Sequence, residues 1–481
     1  MPILTLAHER YAAVEPDRLA LIDHGRRVGC GELERRSRRT AGWLARQGLA
    51  PGDVVGLTVR DELRNLVLTY ALMRLGCVQL QLASYEPRPM REALAARCEL
   101  ACVITDLDDG GLQEFPRLAP DFEAIFADAA FDAAPRAPSD GPVLILTSSG
   151  TTGRPKLVAC SQRQVHGYGQ PHTPGPSIGF IHYSIESNAG KWITLTNLAR
   201  GRVHVFEDAE RVALAQLCAR DGVDRVNLFP ARLEAEVNAN RERAGAPVLA
   251  GVHLFTGGTP VSGALRAAAQ AVLSPLLHVQ YGATECGLAT IAGPETHARW
   301  PDSVGRAFEG IRLRIVDDEG RAMPPDAPGL VQVRSAWSAT AYLDDEVASA
   351  KMFRDGWFQP GDIASMTPDG QLIFGGRGDD MMILNSINIF PAEIEAVAEG
   401  YPGVLECAAF PLRSAAYGDV PLLAVVAQPG REVDLDALLA WCRERLGTRA
   451  PRRVVRVDVL PRNANGKVLR RELAASVRGG R

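Results

Sequence analysis

Hydrophobic and polar positions fall into three successive patterns along the chain. From Pro16 to about Asp106, short apolar runs at Leu19 to Ile22, Val54 to Val59 and Ala101 to Ile104 are separated by helical stretches, Gly31 to Gln47 and Arg64 to Leu75. That alternation predicts parallel strands joined by helices. An Ala-, Pro- and Asp-rich stretch, Asp128 to Pro142, precedes the apolar run Val143 to Leu146, which leads at once into a Ser/Thr/Gly-rich loop. Strand and helix alternate to Tyr281. Arg312 to Val316, Leu330 to Val333 and Gln371 to Phe374 then read as short, turn-separated strands of an antiparallel module. Beyond Gly378 comes a helix with Pro391 at its first position and Glu393 and Glu395 in its first turns, a strand Leu422 to Ala427, and a helix Asp434 to Leu446. The pattern predicts an α/β fold in which residues 1–378 form a large N-terminal domain of α/β subdomains plus a small β-module. Residues 379–481 form a small α+β C-terminal domain.

The length supports this division, because 481 residues exceed what one hydrophobic core holds. A hydrophobic fraction of 46% and a charged fraction of 23% are those of a globular enzyme. The net charge of -4, with both signs mixed throughout, supplies neither the basic stripe of a nucleic-acid binder nor a polybasic membrane patch. Nine scattered cysteines (30, 77, 98, 102, 160, 218, 286, 407 and 442) lack metal or redox spacing and read as reduced thiols. The N-terminus is not a signal peptide, and no run of about 18 apolar residues occurs, so a cytoplasmic protein without a membrane span is expected.

The strongest local signal is Thr147-Ser148-Ser149-Gly150-Thr151-Thr152-Gly153-Arg154-Pro155-Lys156. Its glycines and small hydroxyl residues leave backbone N–H groups free to surround phosphate oxygens, and Lys156 adds a charge at the end. It is not the kinase and GTPase phosphate loop, since Lys156 follows Pro155 rather than Gly. Four further stretches follow in order: Tyr281-Gly282-Ala283-Thr284-Glu285, Gly356-Trp357-Phe358-Gln359-Pro360-Gly361-Asp362, Gly376-Arg377-Gly378-Asp379-Asp380, and Pro461-Arg462-Asn463-Ala464-Asn465-Gly466-Lys467.

Together these motifs resemble the adenylate-forming superfamily of acyl-CoA synthetases, nonribosomal peptide synthetase adenylation domains and luciferases, over about residues 15 to 473. The resemblance implies an enzyme that uses ATP and Mg2+ to make an acyl-adenylate. It implies that Tyr281 lies along the adenine and Thr284 bonds the α-phosphate. Glu285 would help hold magnesium, as a hard carboxylate can. Gly258 and Gly282 border the nucleotide, while Asp362 and Arg377 reach the ribose hydroxyls. Lys467 bridges the acid's carboxylate and the α-phosphate. Asp379 is the hinge about which the C-terminal lid turns after adenylation to admit a thiol.

The chain also departs from that pattern. Pro360 replaces the usual threonine of the ribose motif, Asn385 and Ser386 stand where paired glycines line the thiol tunnel, and no histidine follows Lys156 closely. Gly190 and Gly201 keep the family's separation and let His182 to Ala189 be matched to the acid pocket. Tyr183 then takes the place of the aspartate that amino-acid activating domains carry, which disfavours an α-amino acid. His182, Tyr183, Glu186, Ser187, Trp192, Gly257 and Thr259 form the expected pocket, with the glycines leaving room for a flat or branched group. Glu186 is either a salt-bridged structural residue or a partner for a substrate amine or hydroxyl.

The expected activity is ligation of a small aryl or short acyl acid to coenzyme A. The alternative acceptor is the phosphopantetheine of a separate acyl or peptidyl carrier protein, since the chain ends soon after Lys467. Homodimerisation is left open. A catalytically inactive binding homologue and a luciferase-like oxidative enzyme are the rival classes.

Overall fold

The apolar run Leu19 to Ile22 does not pair with the runs that follow it. In the computed structural model, which describes residues 4–108, 112–132, 141–148, 155–168, 177–207, 212–243, 245–384, 387–414, 418–463 and 466–479, Leu19–Asp23 pairs in parallel with Val203–Phe206. Both belong to a nine-stranded sheet. Val54–Thr58 lies in a second, six-stranded sheet, flanked in parallel by Val78–Gln81 and Leu100–Thr105. Periodicity identifies a strand but not its sheet, because that choice is made by contacts far along the chain.

Pro142–Ser148 extends the second sheet in parallel beyond Val78–Gln81, and Lys156–Ser161 folds back antiparallel to it with Ser148 opposite Lys156. The two ends of the phosphate-loop motif are therefore neighbours across a hairpin. In the nine-stranded sheet, Arg225–Leu228, His253–Gly257 and Leu277–Ala283 run parallel and side by side. The expected antiparallel module is present as Ile311–Val316, Gly329–Ser335, Asp362–Met366 and Leu372–Arg377 with two short strands. It shares one apolar core with the nine-stranded sheet, in which Val226, Leu254 and Val279 meet Val331, Phe358 and Leu372.

After Arg377 the chain makes a 3-10 turn, Gly378–Asp380, and enters a five-stranded sheet with Met382–Leu384. Helices Pro391–Glu399 and Leu435–Leu446 accompany it. Met382, Ile394, Leu423, Leu438 and Val454 form a core of their own there. The molecule is thus a large α/β body with a small, independently cored C-terminal domain. No described helix is long and apolar enough to cross a membrane.

Candidate active site

Asp362 begins the strand Asp362–Met366 and stands directly opposite Arg377, the last residue of Leu372–Arg377. A register shift between Tyr281 and Gly282 marks the neighbouring strand end, a device that re-aims side chains beside sites. The phenol of Tyr281 donates to Asp362 Oδ2 at 2.7 Å, and Arg377 donates to Asp362 Oδ1 at 3.0 Å. Asp362 is buried. Burial raises its carboxyl above the ordinary range, opposed by Arg377, Tyr281 and the more distant charge of Lys467. The result is an acceptor already oriented by two donors.

Thr284 and Glu285 follow the same strand. Asn188 Nδ2 donates to Thr284 Oγ1 at 3.5 Å and to the carbonyl of Thr147, linking this corner to the phosphate-loop hairpin. Tyr342 donates to Glu285 Oε1 at 2.7 Å, and the Lys156 ammonium lies 4.8 Å from the Tyr342 ring centroid. Ser149, Gly150, Thr151, Thr152 and Gly153 lie outside the described residues. Tyr342 has no motif around it and only the fold reveals it. Asn188 was within the pocket segment but carried no signal of its own.

Lys467 arrives from the C-terminal domain. Its backbone N–H donates to Asn463 Oδ1 at 2.9 Å, and Arg462 donates to the carbonyl of Gly466 at 2.8 Å and to Glu406 at 2.7 Å. Gly466 has φ +75, and a Cβ there would lie 3.5 Å from Ala231 in helix Pro230–Asn240 of the large domain. The turn that carries Lys467 therefore lies close beside the body of the protein. One cleft of about 2330 Å³ is lined by Lys467, Asp362, Arg377, Thr284, Glu285, Lys156, Thr147 and Ser148 together. Asp379 sits in the turn Gly378–Asp380, and Asn385 and Ser386 lie outside the described residues. Gly378 N–H donates to the carbonyl of Gly361 at 2.7 Å, so the turn is tied to the ribose motif.

The same cleft is lined by Tyr183, Glu186, Ser187, Trp192, Gly257, Gly258 and Thr259, whereas His182 is not among its lining residues. His182 donates its backbone N–H to Asn227 instead. The ring of Tyr183 packs against that of Phe229 with centroids 3.7 Å apart and the planes tilted by 34°. Backbone geometry gives each of the two glycines a further reason. A Cβ on Gly257 would lie 2.5 Å from the carbonyl oxygen of Gln280 on the adjacent strand, and Gly258 has φ +86. Ser187 caps the helix Asn188–Ala199, accepting from Gly190 N–H at 3.0 Å.

Glu186 is tied down by hydrogen bonds: Ser84 donates its N–H at 3.0 Å and its hydroxyl at 2.5 Å, and Gln81 donates at 3.5 Å. Its carboxyl is raised by burial. Behind it Lys191 is buried, donating to Asn65 and to Thr69 Oγ1 at 3.0 Å, and desolvation lowers its pKa to about 7. Between that value and roughly 10.4, the unfolded lysine holds a proton that the folded one has released, so stability rises with pH there. Lys191→Met removes this dependence. The wild type is expected to gain on the variant in urea midpoint between pH 7 and 9, and a constant difference would contradict the buried lysine's lowered pKa.

The donor and acceptor set fits a nucleoside triphosphate with its cation. Asp362 and Arg377 offer an acceptor and a fork for two hydroxyls, and Lys156 and Lys467 offer two cations for phosphate oxygens. Glu285 alone suits Mg2+, which takes one or two carboxylates and fills its shell with phosphate oxygens and water.

Family models agree with this geometry: the AMP-binding enzyme model matches residues 8–343, and the AMP-binding enzyme C-terminal domain model matches residues 393–467. The indoleacetate--CoA ligase of Aromatoleum aromaticum is 29% identical, covering 96% of this chain and 95% of its own. The fatty acid--[acyl-carrier-protein] ligase ScoC of Streptomyces coeruleorubidus is 27% identical over 96% of this chain and 94% of its own. Among solved structures, the o-succinylbenzoate CoA synthetase of Bacillus subtilis in complex with its acyl-adenylate has a TM-score of 0.85 at 22% identity, covering 98% of each chain. The amide bond synthetase McbA of Marinactinospora thermotolerans has a TM-score of 0.85 at 23% identity, covering 98% of this chain and 99% of its own. With matched models spanning most of both domains and the motifs assembled in one cleft, the chain belongs to the AMP-binding enzyme family, the adenylate-forming ligases that work through an acyl-AMP intermediate.

Proposed function

We propose that this enzyme activates a small aryl or short acyl carboxylic acid with ATP and transfers the acyl group to the pantetheine thiol of coenzyme A. The observation that carries the reading is the meeting of Tyr281, Asp362, Arg377, Thr284, Glu285 and Lys467 in one cleft. In the first step a carboxylate oxygen attacks the α-phosphorus, the new P–O bond forms, and the bond to pyrophosphate breaks. Asp362 and Arg377 hold the ribose, and the ring of Tyr281 borders the adenine beside Gly258 and Gly282. Thr284 bonds the α-phosphate, and the segment Thr147 to Lys156 takes the other phosphates. Lys467 bridges the attacking carboxylate and the α-phosphate, offsetting charge as it builds. Magnesium held by Glu285 would supply charge neutralisation on the phosphates. In the second step the thiol sulfur bonds to the acyl carbon, the bond to AMP breaks, and the thiol proton leaves to solvent. Rotation about Asp379, with the domain boundary between 378 and 379, would withdraw Lys467 between the steps.

A flat acid is favoured by the Tyr183–Phe229 pair and by Trp192 in the cleft wall. A separate carrier protein is the alternative acceptor, supported by likeness to an acyl-carrier-protein ligase along nearly the whole chain. Pyrophosphate release measured across aryl, aliphatic, β-amino and α-amino acids, with coenzyme A, a carrier protein or an amine supplied in turn, tests the proposal. Release stimulated by aryl acids with a thioester formed on coenzyme A is expected. Preference for α-amino acids would overturn the acid assignment, and product formed only on the carrier or the amine would overturn the acceptor.

A further inference from the structure

Arg97 lies just past helix Arg88–Ala95 and outside every motif, yet its guanidinium holds together two segments of the phosphate side of the cleft. Nε and Nη2 donate to the two oxygens of Asp344 at 2.6 and 2.7 Å, and Nη1 donates to the carbonyl of Pro155 at 2.6 Å. The Arg97 side chain is 11% exposed and that of Asp344 26%, so the pair is only partly shielded from solvent. On either side of this fork stand the residues whose placement matters. Lys156 follows Pro155 directly, and Tyr342 stands two residues before Asp344. A backbone bond from Leu343 N–H to the carbonyl of Leu157 at 2.9 Å closes the same junction. Lys156 then faces the Tyr342 ring, and Tyr342 donates to Glu285.

From this geometry we infer that Arg97 is a positioning residue for ATP, fixing the Lys156 ammonium and, through Tyr342, the Glu285 carboxylate at the polyphosphate end of the cleft. The inference rests on the proposed role of Lys156 and Glu285 toward ATP. A bidentate fork that also reaches a carbonyl specifies direction, which a lysine ammonium cannot reproduce at all three acceptors. Removing it leaves the cation and the carboxylate in place chemically but free to shift, and positional losses of this kind fall on the step that needs the alignment. Thioester formation from preformed acyl-adenylate does not use the polyphosphate and should be spared.

The test compares Arg97→Lys and Asp344→Asn with the wild type in acid-dependent pyrophosphate release and in thioester formation from preformed acyl-adenylate. A rise in KM for ATP of about tenfold is expected in both variants, with the KM for the acid and the rate of the second half-reaction within about twofold of wild type. The second half-reaction also reports that the variants are folded. Unchanged KM for ATP would overturn the inference, as would parallel loss of both half-reactions in both variants, which would make the fork a support of the fold alone. Absence of acid-dependent pyrophosphate release from the wild type would instead remove the function on which the inference rests.

Discussion

Lys467→Ala is expected to reduce acyl-adenylate formation by a factor of about 100 to 1,000 or more, the cost of losing a preorganised charge at a developing anion. Thioester formation from preformed adenylate should largely survive. The reason is structural. Lys467 is carried on a turn of the C-terminal domain, fixed by Asn463 and Arg462 and lying close to Ala231. Nothing in the second chemical step requires that turn to remain there. Rapid-quench measurement of both half-reactions separates the outcomes, and equal loss in both would contradict a lysine that serves adenylation only. The same assay would expose an inactive homologue, in which the substitution changes nothing.

Asp362→Ala should lower kcat/KM for ATP by a factor of about 100 to 10,000, since two hydrogen bonds from hydroxyls to a charged acceptor are each worth roughly 1.5 to 3 kcal/mol. The structure adds a second effect. Tyr281 and Arg377 both point at this carboxylate, so its removal takes the acceptor from a buried phenol and one ion-pair partner from a guanidinium. Breaking a buried ion pair costs about 3 to 5 kcal/mol, and Arg377, whose side chain is 27% exposed, recovers part of that from water, leaving about 2 kcal/mol of lost stability. A ribose contact has its own signature: wild type should discriminate strongly against 2',3'-dideoxy-ATP, and the variant should lose most of that discrimination, keeping only the share due to Arg377. Undiminished discrimination in the variant would place the ribose elsewhere. Because burial raises the Asp362 carboxyl, ATP binding should also begin to weaken on acidification at a pH above that of an ordinary aspartate.

Much of the site could be read from the sequence because its polar residues are local. Tyr281 to Glu285 is one strand end, Asp362 and Arg377 each lie in a short motif, and their pairing across a hairpin follows from a turn between two strands. Residues defined by long-range packing could not be read in the same way. Tyr342 and Phe229 lie in unremarkable sequence and line the cleft only because distant segments are brought beside it, and Arg97 meets Pro155 behind it in the same way. Gly257 shows a subtler gap, since its place was legible and its reason was not: only the backbone of Gln280 explains why no side chain fits. His182 was placed in the pocket by its neighbours in the chain, yet its backbone N–H is held by the carbonyl of Asn227 and the cleft is lined by Tyr183 beyond it. The fold class followed from alternation of strands and helices, whereas the separation of Leu19–Asp23 from Val54–Thr58 into different sheets did not, because pairing is settled by Val203–Phe206.

The measurement closest to the central claim is isotope exchange between pyrophosphate and ATP, with and without an aryl acid and in the absence of any acceptor. Reversible adenylation predicts exchange that depends on both the acid and Mg2+, with AMP and pyrophosphate rather than ADP and phosphate as the cleavage products. Acid-dependent formation of ADP, or no exchange with any acid tested, would contradict the account.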